Sequence, residues 1–135
     1  MPARAFLDTN VLIYALAEND PRSARAEDLL AAGGIISGQV LNEFTSVARK
    51  KLLLSWAEIS EAIDAFLVLC PSLLPITLEM HEVAREIAEK LGYGIYDGLV
   101  IAAALEAGCS ILYSEDLQDG QRINGRLTIR NPFTS

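Results

Sequence analysis

The sequence predicts an α/β domain built on a central, mostly parallel sheet covered by helices on both faces. Two observations predict it. Short apolar runs at Ala5–Leu7, Ile35–Ser37 and Ser110–Tyr113 alternate with longer stretches of helical periodicity. Parallel strands need crossover helices, and strands buried on both faces read as continuous apolar runs. The second observation is where acids fall: Asp8, Glu43, Asp97 and Asp116 stand just past expected strands or near the starts of helices. In an open α/β sheet those positions line one crevice, so acids spread along the whole chain can meet there.

Taken in order, Ala5-Phe6-Leu7 is a strand, and Asp8-Thr9-Asn10 offers three helix-capping residue types before a helix over Val11–Ala17. Asn19-Asp20-Pro21 breaks that helix. A second, with Ala24, Leu29 and Leu30 on one side, runs to the stop at Gly33-Gly34. Ile35-Ile36-Ser37 is a strand, followed by a helix from about Val40 to Lys50 with the stripe Val40, Leu41, Phe44, Val47 and Ala48; Glu43 lies on its flank. Ser55-Trp56-Ala57-Glu58 is a capping box opening a long helix to Cys70, which Pro71 ends. Leu74-Pro75-Ile76 is a short strand or extended link. Thr77 caps a helix that turns Met80, Val83, Ala84, Ile87, Ala88 and Leu91 inward and stops at Gly92. Leu99 to Leu105 is apolar almost all round, so the helix that begins near Asp97 and ends at Gly108 has the pattern of a buried element. Ser110–Tyr113 delivers Asp116 to the end of a strand. Asn124-Gly125 is the strongest hairpin signal, setting Arg122-Ile123 opposite Arg126-Leu127.

A length of 135 residues fits one domain, 1–135, with no repeat, linker or low-complexity segment. Basic residues number 11 and acidic 18, so the formal charge is 11 − 18 = −7. Bulk charge of that sign argues against phosphate-backbone binding, but distribution outweighs the sum. Cations gathered by the acids would reverse the local field, and Arg49-Lys50-Lys51, Arg122, Arg126 and Arg130 remain as basic groups. Hydrophobic residues make up 51% and mean hydropathy is +0.28. No apolar stretch is long enough to span a bilayer, so the surplus points to a protein interface and a homodimer. Met1-Pro2-Ala3-Arg4 leads into the first strand without a charged-then-apolar leader, which places the chain in the cytoplasm. Cys70 and Cys109 lack partners at ligand spacing and read as core thiols. His81, among Glu79, Met80 and Glu82, reads as a surface residue.

Each acid has a plainer reading. Asp8 and Asp97 could be helix caps, Glu43 a solvated flank, and Asp116 part of an exposed turn with Glu115 and Asp119. Thr9 or Asn10 could cap in place of Asp8 and free it for the crevice. A Glu on the edge of an apolar stripe is poorly hydrated without a partner. Clustered carboxylates repel unless a cation joins them, which makes a divalent-metal site, and with it phosphoryl transfer, the leading chemistry.

Four segments then resemble the PIN-domain family of metal-dependent nucleases, which includes VapC-like toxins of bacterial toxin-antitoxin pairs. They are Phe6-Leu7-Asp8-Thr9-Asn10-Val11-Leu12, Asn42-Glu43, Tyr96-Asp97-Gly98-Leu99-Val100-Ile101-Ala102-Ala103-Ala104 and Ser114-Glu115-Asp116-Leu117, with Asn131-Pro132-Phe133 near the end. The resemblance implies a three-layer α/β/α fold and an endoribonuclease using Mg²⁺ or Mn²⁺. It implies Asp8, Glu43, Asp97 and Asp116 as the acidic metal site, with Thr9 or Ser114 as a supporting hydroxyl; at the fourth acid Asp119 stands as an alternative that could share or replace the role of Asp116. RNA substrate and a cognate antitoxin are the implied partners. A receiver domain would want an acidic pair near the first helix and a late Lys, and a haloacid-dehalogenase-like phosphatase would want Asp at position 10, which is Asn10. The remaining alternative is a non-catalytic RNA- or protein-binding module on the same scaffold.

Overall fold

The computed structural model describes residues 4–134. Met1, Pro2 and Ala3, on which the expectation about the leader rests, lie outside the described residues. The elements in chain order are β1 (Ala5–Leu7), α1 (Thr9–Leu16), α2 (Ser23–Ala31), β2 (Ile36–Ser37), α3 (Gly38–Lys50), α4 (Trp56–Leu69), β3 (Leu73–Leu74), α5 (Leu78–Leu91), α6 (Ile95–Glu106), β4 (Ile111–Tyr113), β5 (Arg122–Ile123) and β6 (Leu127–Arg130).

The main sheet has the order β1-β4-β6-β5, parallel except for β5 against β6. A second parallel pair, β2 with β3, joins its edge through one bridge from Phe6 to Ile35. Consecutive strand residues face opposite sides of a sheet. Phe6 and Leu7 are both fully buried, so helices cover both faces at β1. At β6 burial alternates, with Leu127 and Ile129 inward and Arg130 exposed.

Helix starts follow the capping chemistry. Ser37, Ser55 and Thr77 each accept a backbone N–H with the side chain, and Ser55 and Glu58 complete the capping box. Gly92 closes α5 in the left-handed conformation, at φ 78°. The helix α6 is buried over Gly98–Leu105 and packs along α5. Gly98 makes that approach possible: a Cβ there would lie 2.6 Å from the carbonyl oxygen of Ala84.

Four local expectations need correction. In α1 the cap is Asp8 itself, which accepts the Thr9 N–H, so the helix starts at Thr9, ahead of Val11. In α2 the inward residue is Ala26, and Ala24 is exposed. In α5, Val83 and Leu91 are exposed, because the contact with α6 is a narrow seam through Met80, Ala84 and Ile87. In the hairpin Asn124 and Gly125 do adopt positive φ, but Ile123 pairs with Leu127 and Arg122 with Thr128. That shift by one residue puts the apolar Ile123 and Leu127 on one buried face, where the expected register would have sent one of them to solvent. Cys70 and Cys109 are free and buried, and His81 is exposed, as expected.

Candidate active site

Asp8 follows the C-terminal end of β1, and Ser114 follows that of β4, which pairs with β1. Beyond these ends opens a cavity of about 830 Å³, whose lining includes Thr9, Asn10, Glu43 and Asp116. Asp8 is only 4% exposed. Its Oδ1 accepts from the Thr9 N–H at 2.7 Å and its Oδ2 from the Ser114 hydroxyl at 2.7 Å. The capping reading of Asp8 holds, with one oxygen capping α1 and the other accepting from the loop after β4, while Asp8 itself is not among the residues that line the cavity.

The hydroxyls organise the rest. Ser114 Oγ also accepts the N–H groups of Asp116 at 3.2 Å and Leu117 at 3.3 Å, which curls the loop so that Asp116 lines the cavity. The Thr9 hydroxyl donates to Glu43 Oε2 at 2.8 Å, while Gln39 Nε2, one turn earlier on α3, donates to Glu43 Oε1 at 3.0 Å. Asn10 accepts the Glu115 N–H through Oδ1 and donates through Nδ2 to Asp116 Oδ2 at 3.4 Å. Behind it Glu115 is held by the Tyr14 hydroxyl at 2.6 Å and by Arg22 at 3.2 Å, and Arg22 also pairs with Asp20. Among the described residues no Lys or Arg forms a salt bridge with Asp8, Glu43, Asp97 or Asp116.

Asp97 sits in the first turn of α6, partly buried. Burial raises its carboxyl above the ordinary range, and the charges of Glu43 and Asp116 push it further. Burial also pushes Asp8 up to about 6; the Ser114 and Thr9 hydrogen bonds oppose this, and Glu43 and Asp116 add to it. The four acids thus share one electrostatic neighbourhood. Asp119 does not line the cavity: its Oδ1 accepts the Asn131 N–H at 2.8 Å and ties down the end of the chain.

The donors suit a hard divalent cation, since they are oxygens only and repel one another without a counter-charge. Among the described residues, no three acidic, His or Cys side chains lie close enough together to hold an ion as they stand. The donor chemistry fits Mg²⁺ or Mn²⁺; the spacing is open.

Sequence reasoning missed Gln39, Asn10 and Tyr14 as parts of this site. The signal for Gln39 was available, because residues four apart on a helix face the same side and Gln39 precedes Glu43 by four. Asn10 and Tyr14 reach Asp116 and Glu115 across a gap of about a hundred residues, which no local pattern reveals.

A parallel sheet whose strand ends open onto an acid-lined cavity defines the general class. The chain belongs to the PIN-domain family, whose model matches residues 5–121. Similar solved structures include a toxin-antitoxin complex from Klebsiella pneumoniae, 19% identical, covering 96% of this chain and 98% of that one with a TM-score of 0.70. DNA-bound VapBC from Salmonella typhimurium is 20% identical over 97% and 99%, with a TM-score of 0.70. Mycobacterium tuberculosis VapC20, a sarcin-ricin loop cleaving toxin, is 20% identical over 83% and 89%, at 0.68. At such identities the likeness is one of fold. No curated protein sequence matches the chain.

Proposed function

We propose that the protein is a metal-dependent endoribonuclease, the toxin of a toxin-antitoxin pair. The observation that supports this reading is that Glu43 and Asp116 line one cavity and both act electrostatically on the buried Asp8 and on Asp97, with no basic side chain paired to any of the four among the described residues. These four would hold Mg²⁺ or Mn²⁺, which when bound supplies a water of lowered pKa and positive charge beside a phosphodiester.

The chain's own groups do the positioning. Ser114 and the Thr9 N–H fix both oxygens of Asp8, while Thr9 and Gln39 fix those of Glu43. The cavity offers no His or Cys, so neither a histidine base nor a thiol nucleophile is part of the reading. Toxin-antitoxin complexes among the similar folds support a cognate antitoxin as partner. The exposed apolar side chains, Leu53, Trp56, Val68 and Leu78 among them, support a homodimer, with sedimentation as its check. No described helix is long and apolar enough to cross a membrane, which is compatible with work in the cytoplasm.

The test is cleavage of RNA by purified protein. Expected are cuts in Mg²⁺ or Mn²⁺, none in EDTA, and losses of about a thousandfold or more for Asp8→Asn and Asp97→Asn. Activity of both variants with metal stripped refutes the mechanism. Binding of RNA without turnover in either metal leaves the non-catalytic module in its place.

A further inference from the structure

The cavity is acidic at one end only. Along α3 its lining runs from Gln39 and Glu43 through Ser46 and Val47 to Lys50, and it includes Lys51 just beyond the helix. Seven residues of helix separate Glu43 from Lys50, roughly 10 Å along the axis. Seven residues is close to two full turns, so both side chains stand on the same face. Among the described residues neither lysine forms a salt bridge, in a chain of net charge −7. Lysines at a helix C-terminus also complement the helix dipole, but that role does not require them to line a cavity. On another wall stands Tyr96, adjacent in sequence to Asp97 and 62% exposed. An aromatic ring left this open, in a cavity that also presents unpaired cations, is the pairing that single-stranded nucleic acid recognises: stacking for a base and charge for the backbone.

We infer that Lys50 and Lys51 grip a backbone phosphate beside the scissile one and that Tyr96 stacks an unpaired base of the RNA. The inference rests on the ribonuclease reading and adds the residues that seat the strand. The distance from Glu43 to Lys50 places the gripped phosphate a nucleotide or two from the acids. A duplex cannot use Tyr96, because its bases are already stacked on one another.

The test is equilibrium binding of a short fluorescent oligoribonucleotide in Ca²⁺, followed by anisotropy, alongside cleavage in Mn²⁺. Wild type should bind the single strand at least tenfold more tightly than the same sequence in duplex. The double variant Lys50→Gln/Lys51→Gln should lose about tenfold in affinity and flatten the slope of log affinity against log salt by about 0.7, the value for one neutralised phosphate on a single strand. Tyr96→Ala should lose about tenfold with the salt slope unchanged, and Tyr96→Trp should retain binding. Thermal melts of each variant separate this from a dipole role, in which stability falls and affinity does not. Variants that bind like wild type, or equal affinity for duplex and single strand, overturn the inference while leaving the nuclease standing. Wild type that neither binds nor cuts any RNA overturns the ribonuclease reading and this inference together.

Discussion

Asp8 and Asp97, both influenced by the cavity-lining Glu43 and Asp116, have raised carboxyls yet are fixed in place by different means. Asp8 is buried under a set of hydrogen bonds from Thr9 and Ser114, which join α1 to the loop after β4. Among the described residues no hydrogen bond reaches the Asp97 carboxylate; packing fixes its position, because Gly98 lets α6 lie directly against the backbone of α5. Both carboxyls are raised, and in both burial is the main cause. The difference teaches that one acid is held by polar bonds to its own oxygens and the other by the helix that carries it. Changes to the two should therefore separate stability from activity differently.

The largest stability effect is expected at Asp8 and should depend on pH. Its native carboxyl titrates near 6, above the ordinary value of 3.8. The folded state therefore binds more protons than the unfolded between those values, and the stability this group contributes is present below about 3.8 and lost as pH rises through 6. The span corresponds to about 2 to 3 kcal/mol. Asp8→Asn keeps an oxygen to accept the Thr9 N–H and removes the charge. In EDTA at pH 7.5 the variant should be more stable than wild type by about that amount, with the gap closing toward pH 4. Urea melts across this range measure it, and a variant equally stable or weaker at pH 7.5 shows that the hydrogen bonds outweigh burial of the charge. Mn²⁺ should raise the Tm of wild type and leave the variant's nearly unmoved.

How much of this was legible in the sequence follows the same division. The alternation of strands and helices, and the elements that carry the four acids, came from short apolar runs, caps and the almost wholly apolar Leu99–Leu105, because burial on every side leaves a composition that needs no partner to interpret. The partners of the acids did not. Gln39, Asn10 and Tyr14 act across tertiary gaps, and Asp116 and Asp119, three residues apart, were indistinguishable by spacing. Two main-chain bonds to Ser114 turn the loop so that Asp116 lines the cavity and Asp119 meets Asn131. The hairpin register failed for a related reason: Asn124-Gly125 marked the turn, but burial of Ile123 with Leu127 chose the pairing.

Packing at the Asp97 side is tested by Gly98→Ala. The added methyl would stand 2.6 Å from the Ala84 carbonyl oxygen, a backbone atom that cannot rotate away. The two helices must separate, at a cost of about 1 to 3 kcal/mol. Cleavage should fall as well, since the start of α6 carries Asp97. Denaturant melts paired with RNA cleavage check both; full stability would mean that α5 and α6 slide apart freely and that packing does not fix Asp97.

The smallest effect sharpens the comparison most. Asp97→Asn removes a charge that burial and two neighbouring carboxylates disfavour, so in EDTA at neutral pH it should stabilise the protein, in the same direction as Asp8→Asn. Solvent reaches this side chain and screens it, so the gain should stay below about 1 kcal/mol. No hydrogen bond to Asp97 is lost to offset it. The two substitutions should therefore share a direction in stability and a large loss in cleavage, yet differ severalfold in how far they move the melt at pH 7.5. Equal shifts would mean that Asp97 is as desolvated as Asp8, and a destabilised Asp97→Asn would mean that the carboxylate supports the first turn of α6, the role that competes with the proposed one of metal ligand.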